Sequence, residues 1–156
     1  MAVRSCATVG RMTTTQVELL RDAPVGRGAD REVSWPVRRL VLARDNWACL
    51  CCGKSVLGRP YAIHLRKPRR LGGDASPENL ITVLAECGLR IGFRGDPADE
   101  ARGLRIRSRE EPALVPVLYF TSAGLTKAWL RPDGGRGFEP PRSTTRGVGR
   151  AGWTNL

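Results

Sequence analysis

His64 is the only histidine in the chain, and basic residues fill four of the six positions that follow it. Imidazole has an unperturbed pKa near neutral pH, so this side chain can transfer a proton or, when neutral, bind a metal ion. The arginines and lysine beside it carry the charge and the hydrogen-bond donors that bind phosphate groups. This combination predicts chemistry on a polyanion or binding of one; the alternative is a solvated basic surface.

The positive charge extends over a longer segment that begins before His64. No acidic residue occurs between Lys54 and Arg70, so the charges of this segment are locally uncompensated. The whole chain has 26 lysine and arginine residues against 15 aspartate and glutamate residues, a formal net charge of +11. We therefore predict salt-dependent binding to nucleic acid, double-stranded DNA in particular, because contacts to the phosphate backbone release counterions. The predicted contact residues are Lys54, Arg59, Arg66, Lys67, Arg69 and Arg70.

The cysteine spacing predicts a second site, for a structural metal ion. Cys49 and Cys52 form a C-x-x-C turn followed by Gly53, a spacing that presents two sulfurs to one tetrahedral zinc ion. Cys87 follows the basic loop and is the predicted third ligand. We expect Cys51, which lies between the first two ligands, to point away from the metal.

The fourth ligand of this zinc site does not follow from the spacing. A complete second pair would have a cysteine three residues before Cys87, but that position is Leu84. Water, Glu86 or His64 are the remaining candidates for the fourth position. Alternatively, the cysteines are reduced thiols that pack as small apolar side chains without any metal.

Short helices and strands must position these residues. The segment SWPVRRLVLARD predicts a helix with Ser34 as its cap and Pro36 in its first turn, ending near Asp45–Asn46. The segment RPYAIHLR alternates as a strand does, which puts His64 and Leu65 on opposite faces. The Gly-Gly sequence of RRLGGDASPEN predicts a loop after this strand.

The downstream part of the chain predicts further elements. The apolar run LITVLAECGLRI is compatible with a helix or a strand, and we favour a helix that begins around Asn79 or slightly later. Two strands are predicted at Val115–Phe120 and Thr126–Leu130, joined by a turn around Gly124. Together these elements predict a small α+β domain with a C-terminal β-hairpin.

A length of 156 residues predicts one domain. Apolar periodicity is confined to residues 34–132, whereas the composition of residues 1–33 and 133–156 predicts a disordered N-terminal extension and a basic disordered tail. No apolar run reaches the roughly 18 residues of a membrane span, and the first residues lack the apolar core of a signal peptide. We expect a cytoplasmic protein whose cysteines are thiols or metal ligands, and Met12 is an alternative start.

The order of these motifs resembles that of the HNH endonucleases, in the form common in bacteriophages. The resemblance covers Trp35 to Cys87 and includes RRLVLARDNWAC, the C-x-x-C turn, the strand with its histidine, and GGDASPENLI, which is the most specific motif. The later segments PVLYF and AWLRPDGG also look like the C-terminal hairpin of phage members. The resemblance implies a ββα-metal fold, in which two antiparallel strands and a helix hold one divalent cation against the scissile phosphate.

The resemblance also implies roles for individual residues. Asn79 matches the family asparagine that orients the general base. His64 falls in a two-residue element, a metal ligand followed by the histidine base. Either His64 is the ligand and Leu65 stands in the base position, or His64 is the base and Ile63 stands in the ligand position. Gly88 replaces the helix histidine that completes the metal site, so one catalytic group is missing in either alignment.

Nearby carboxylates are candidate replacement ligands for Mg²⁺ or a similar divalent cation. These are Glu86, Asp96, Asp99 and Glu100. The first hypothesis is therefore a metal-dependent DNA endonuclease of reduced activity, because the family chemistry needs both a base and a metal. The second is a domain that has lost catalysis and only binds nucleic acid, which the single histidine favours. The third is a zinc-ribbon-like adaptor that binds other proteins.

Overall fold

The computed structural model describes residues 33–107, 109–121 and 124–141. In these residues the chain is a small protein of mixed helices and strands, in agreement with the predicted α+β class. The helices are α1 (Trp35–Arg44), α2 (Ala85–Arg94) and α3 (Pro97–Ala101), and the strands are β1 (Tyr61–Leu65), β2 (Leu80–Leu84), β3 (Val117–Thr121), β4 (Gly124–Leu130) and β5 (Arg136–Gly137). No helix in these described ranges is long and apolar enough to cross a membrane.

Strands β1 and β2 form an antiparallel pair, and helix α2 follows β2 without a loop. His64 lies opposite Ile81 in this pair. Strand β1 alternates as predicted, because Ile63 and Leu65 are buried whereas His64 between them is half-buried. Helix α2 contacts both strands, so we call these three elements the ββα unit.

The predicted helix start near Asn79 is wrong, because Leu80–Leu84 forms strand β2 and the helix begins at Ala85. Every residue of β2 is buried, and both α1 and α2 pack against the strand. A strand that is covered on both faces loses its alternating pattern, so its apolar run resembles that of a buried helix. The β-branched side chains of the run favour the extended conformation.

Helix α1 has the predicted bounds, with Pro36 in its first turn. The side chain of Ser34, the predicted cap, makes no capping hydrogen bond. Beyond the other end, the buried carboxylate of Asp45 accepts a hydrogen bond from the backbone N–H of Thr82 at 2.8 Å. The same carboxylate pairs with Arg136 at 3.1 Å. These contacts link the end of α1 to β2 and to β5.

Strands β3, β4 and β5 form a second, antiparallel sheet in that order. The first two strands form the predicted C-terminal hairpin, with slightly different bounds. Strand β3 begins at Val117 rather than Val115, and β4 begins at Gly124 rather than Thr126. The hairpin is thus shorter at its open end and longer at its turn than the sequence predicted.

The predicted disordered tail is wrong for residues 133–141, which include strand β5. Trp129 of β4 pairs with Gly137, and Gly134 packs against the side chain of Leu40 on α1. Composition does not reveal this pairing, because backbone hydrogen bonds in a sheet require no particular side chain. Val33, predicted to belong to the disordered extension, is buried. The predictions for residues 1–32 and 142–156 fall outside the described residues.

Candidate functional site

A tight turn after helix α1 has the form of the predicted metal-binding knuckle. An isolated antiparallel bridge joins Ala48 and Ser55, and the N–H of Gly53 donates to the carbonyl of Cys49 at 2.7 Å. Gly53 has a φ of +76°, a conformation that L side chains rarely adopt. An added Cβ there would also lie 3.0 Å from Phe120, so the turn needs glycine at this position.

The sulfurs of Cys49, Cys52 and Cys87 come together, as the spacing predicted. The three Sγ atoms lie within 4.8 Å of one another. Cys87 lies in the first turn of α2, so this group joins the knuckle to the helix. Tetrahedral zinc with Zn–S bonds of about 2.3 Å places its sulfurs about 3.8 Å apart, a separation compatible with this group. We call these residues the cysteine cluster, and they could hold a metal ion such as zinc.

Cys51 does not point away from the cluster, contrary to the prediction. It is 7% exposed, and its sulfur accepts a hydrogen bond from Nη2 of Arg90 at 2.9 Å. Hydrogen bonds from Cys49 and Arg90 lower the pKa of Cys51 to about 5, and Cys87 contributes in the same direction. The hydrogen bond with Cys51 and burial raise the pKa of Cys49 above its usual range. The physical reason for the inward sulfur is the guanidinium of Arg90, which α2 places three residues after Cys87.

Arg90 is held in place by contacts with the segment that follows α2. The carboxylate of Asp99 accepts two hydrogen bonds from its guanidinium, each 3.0 Å long. Asp99 is buried whereas Arg90 is partly exposed, and the paired hydrogen bonds fix the orientation of the guanidinium. Arg102 reaches the knuckle as well and donates to the carbonyl of Leu50 at 3.0 Å. The segment after α2 therefore contacts the surroundings of the cysteine cluster at Arg90 and at Leu50.

A cleft of about 270 Å³ lies beside His64 on the ββα unit. We call it the His64 cleft. Strand β1, the 3₁₀ turn Arg69–Leu71 and helix α2 contribute to its walls. Its lining residues are His64, Leu65, Arg66, Pro68, Arg69, Arg70, Ile91, Gly92 and Arg105.

Arg105 is a cleft residue that the sequence analysis missed. Its guanidinium packs against Gly95, where an added Cβ would collide with it. Gly95 also has a φ of +59°, so glycine permits both the turn after α2 and the approach of this arginine. The local sequence around Arg105 carries no signal for this position, because only the packing of the segment after α3 brings it to β1.

The His64 imidazole is neutral at neutral pH. Burial lowers the pKa of His64 to about 4, and the positive charge of Arg105 acts in the same direction, whereas Asp99 opposes it. A neutral imidazole has one nitrogen free to accept a proton or to bind a cation. An anion in the cleft would raise this pKa, because a nearby negative charge favours the imidazolium.

The cleft does not offer the ligand set of a catalytic divalent cation. Its lining includes no carboxylate and no second imidazole. In the part of the chain that the structure describes, the cysteine cluster is the one group of three or more potential ligands. The predicted replacement ligands lie elsewhere: Asp96 caps α3, Asp99 pairs with Arg90, Glu100 pairs with Arg107, and Glu86 is exposed. The residues present therefore do not fit a cation held by the protein at His64.

The side chain of Asn79 closes the loop between β1 and β2. Its Oδ1 accepts from the N–H of Lys67 at 2.7 Å, and its Nδ2 donates to the carbonyls of Lys67 and Asp74 at 3.0 and 2.8 Å. Gly73 passes so close that an added Cβ would collide with the Lys67 carbonyl. Asn79 is fully buried and does not line the cleft. It positions the loop that carries the two cleft arginines.

Arg66 and Lys67 are removed from the predicted DNA-contact surface. Arg66 is fully buried, and its guanidinium donates to backbone carbonyls that include Gly103 and Val115, at 2.6 Å each. Lys67 is 6% exposed, with its ammonium 3.9 Å from the carboxylate of Glu111. Arg66 was expected to be exposed as a DNA-contact residue, but the segment after α3 covers it. Although Arg66 borders the cleft, its donors are already occupied.

The other predicted DNA-contact residues are exposed but do not all lie together. Arg69 and Arg70 are exposed and line the His64 cleft. Lys54 and Arg59 are exposed in the segment between the knuckle and β1, and they do not line the cleft. The structure thus brings three of the six predicted residues to the His64 cleft, of which Arg69 and Arg70 are exposed and Arg66 is buried, and it adds Arg105.

Helix α2 connects the two candidate sites. Cys87 in its first turn belongs to the cysteine cluster, and Ile91 and Gly92 further along line the His64 cleft. Chemically, this arrangement can bind an anion in the cleft while a metal ion holds the start of the helix.

Comparisons of the chain with protein-family models, with curated proteins and with solved structures found no match.

Proposed function

We propose that this chain is an HNH-like ββα domain that binds double-stranded DNA by its phosphate backbone at the His64 cleft. One observation carries the proposal. Three arginines, Arg69, Arg70 and Arg105, meet around a half-buried histidine in a cleft whose lining has no acidic residue. Guanidinium groups bind phosphate oxygens through paired hydrogen bonds. Because backbone contacts read no bases, the binding has little sequence preference.

The order of the elements supports the HNH-like part of the proposal. A strand with the histidine, a loop closed by Asn79, an antiparallel second strand and a helix against both follow one another as in that family. The Gly-Gly motif has a structural reason here, because Gly72 takes a φ of +82° and Gly73 leaves room for the loop to close. The missing metal ligands at His64 favour binding over cleavage as the main function.

A structural zinc ion in the cysteine cluster is part of this proposal. Cys49 and Cys52 lie in the knuckle and Cys87 lies at the start of α2, so a bound ion would tie these two elements together. Zinc at such a site supplies folding free energy and takes no part in the chemistry. It would hold α2 in the position at which Ile91 and Gly92 form a wall of the cleft.

The DNA-binding proposal is tested by fluorescence anisotropy with a labelled duplex at several salt concentrations. If about five phosphates are contacted, log K falls with log salt at a slope of roughly −4.5. The double variant Arg69→Glu/Arg70→Glu binds more weakly, and its slope is flatter by about 2. The matched control is Arg39→Glu/Arg109→Glu, which changes the net charge equally at exposed arginines outside the cleft. Equal losses in both double variants, or affinity that ignores salt, would overturn the proposal.

Phosphodiester cleavage is the second candidate function. The neutral imidazole of His64 favours it, because that group can accept a proton from water or bind a divalent cation whose other ligands come from water and substrate. We expect weak nicking of supercoiled plasmid with Mg²⁺, Mn²⁺, Ni²⁺ or Zn²⁺, and its loss in His64→Ala. If His64 is the base, kcat/KM, which reports the pKa of the DNA-free protein, is level above about pH 5, and if His64 is a ligand, kcat/KM rises with pH. Cleavage that survives His64→Ala, or no cleavage with any of these ions, excludes this candidate.

A further inference from the structure

The cysteine cluster provides three sulfurs, and a tetrahedral zinc ion takes four ligands. The residues considered from the sequence do not supply the fourth. His64 lines the cleft, Glu86 is exposed, and neither belongs to the group of close ligand atoms. Leu84 stands where a second cysteine pair would have its first member. The fourth ligand therefore has to come from elsewhere or from solvent.

Cys51 is the remaining cysteine of the knuckle and lies beside the cysteine cluster. It is buried, and its sulfur is close enough to those of Cys49 and Cys87 to interact with them. The Arg90 guanidinium donates to the same sulfur at 2.9 Å, and Asp99 holds that guanidinium through two further hydrogen bonds. Groups that donate hydrogen bonds to a ligand atom and are themselves held by a carboxylate are typical of the outer shell of metal sites.

We propose that Cys51 is the fourth ligand, so that the chain holds zinc with four thiolates from Cys49, Cys51, Cys52 and Cys87. Formation of the site makes four Zn–S bonds and releases the protons of the four thiols, which leaves a complex of charge −2. Arg90 offsets part of this charge through its hydrogen bond to Cys51. The Cys51 sulfur is not among the three within 4.8 Å of one another, so closing the tetrahedron requires a shift of the knuckle.

Two variants address Cys51 itself. Reduced, metal-free full-length chain is titrated with Co²⁺, whose sulfur-to-metal charge-transfer band grows with the number of thiolate ligands. Cys51→Ser loses about a quarter of that band and binds Co²⁺ more than tenfold more weakly. Adding Leu84→Cys to Cys51→Ser restores both values, because it completes a second C-x-x-C pair. Cys6→Ser, which removes a cysteine of the N-terminal segment, serves as the control and behaves as the wild type.

X-ray absorption on the zinc-loaded wild-type chain counts the ligands without any substitution, so it stands even if Cys51→Ser fails to fold. Four sulfurs at about 2.3 Å support the proposal. Three sulfurs with one oxygen or nitrogen overturn it and leave the three-cysteine zinc site of the proposed function intact. A Cys51→Ser variant with unchanged band and affinity has the same meaning. A wild-type chain that binds no zinc overturns this inference and that zinc site together, while DNA binding is measured separately.

Discussion

Burial and the charge of Arg105 keep the His64 imidazole unprotonated at neutral pH. Arg69 and Arg70, which line the same cleft, add further positive charge around it. Asp99 opposes them, but its carboxylate is already paired with Arg90. The surroundings of His64, rather than its residue type, therefore set its protonation state. A phosphate in the cleft would act against these effects and raise the pKa of His64, because a nearby negative charge favours the protonated imidazole.

We predict that the free energy of unfolding of the DNA-free protein falls as the pH is lowered from about 6.5 to about 4. The pKa of His64 is about 4 in the folded state, below the unfolded value near 6.5. The unfolded chain therefore binds the proton first, and protonation favours unfolding in this window. His64→Gln removes this part of the pH dependence, worth up to about 3 kcal/mol. Urea denaturation of both proteins across this range is the measurement, and identical pH profiles would contradict the prediction.

The loop between β1 and β2 carries the cleft arginines, and its shape depends on one side chain. Asn79 replaces the hydrogen bonds that the loop backbone would otherwise make with water, at Lys67 and at Asp74. Gly72 and Gly73 allow the chain to turn and to pass close to this amide. The conformation of the loop therefore depends on Asn79, and the loop in turn positions the exposed side chains of Arg69 and Arg70. This explains structurally why the loop motif contains two glycines and an asparagine.

We predict that Asn79→Ala destabilises the protein by about 2–4 kcal/mol, because it leaves buried backbone groups of the loop without partners. The same variant weakens DNA binding, since Arg69 and Arg70 are no longer held beside His64. Thr82→Val is the control, because the Thr82 hydroxyl is buried and makes no hydrogen bond within the described residues. That substitution leaves stability and binding close to the wild-type values. Chemical denaturation and anisotropy decide the matter, and a stable Asn79→Ala variant that binds DNA weakly would restrict the role of Asn79 to binding.

Across the whole molecule, α2 and Arg66 join parts that lie far apart in the sequence. Helix α2 runs from the cysteine cluster to the His64 cleft. Arg66 connects the ββα unit to the segment that leads into the second sheet, through its hydrogen bonds to Gly103 and Val115. Removing such a buried charged group is costly, because its partners would remain desolvated and unpaired. Because α2 contributes to both sites, we expect metal binding and DNA binding to be coupled.

We predict that removal of zinc by a strong chelator lowers the thermal stability of the protein and weakens its binding to DNA. At a free zinc concentration about 1,000 times Kd, the ion adds about 4 kcal/mol to the stability of the folded state. The affinity for DNA falls because α2, which forms a wall of the cleft, is no longer tied to the knuckle. Calorimetry and anisotropy before chelation, after it and after zinc is restored provide the measurement. DNA affinity that is unchanged by chelation, in protein shown to have lost zinc, would contradict the coupling.

Local patterns in the sequence were sufficient for several elements. The bounds of α1, the alternation of β1 and the C-x-x-C knuckle each depend on residues within a few positions of one another. The run of β2 was misassigned as a helix, because a strand covered on both sides has no alternation to distinguish it. Strand β5 was missed because sheet pairing uses the backbone and leaves little trace in composition.

One histidine, a net positive charge and cysteines at metal-binding spacing follow from the amino-acid sequence alone. The environment of these residues depends on how distant segments of the chain pack together. This packing buries Arg66, places Arg105 beside His64, and directs Cys51 toward the cluster through its hydrogen bond with Arg90. The physical reason is that burial and charge pairing depend on which distant segments pack together. A residue's type and its near neighbours do not contain that information, because the partners lie elsewhere in the chain.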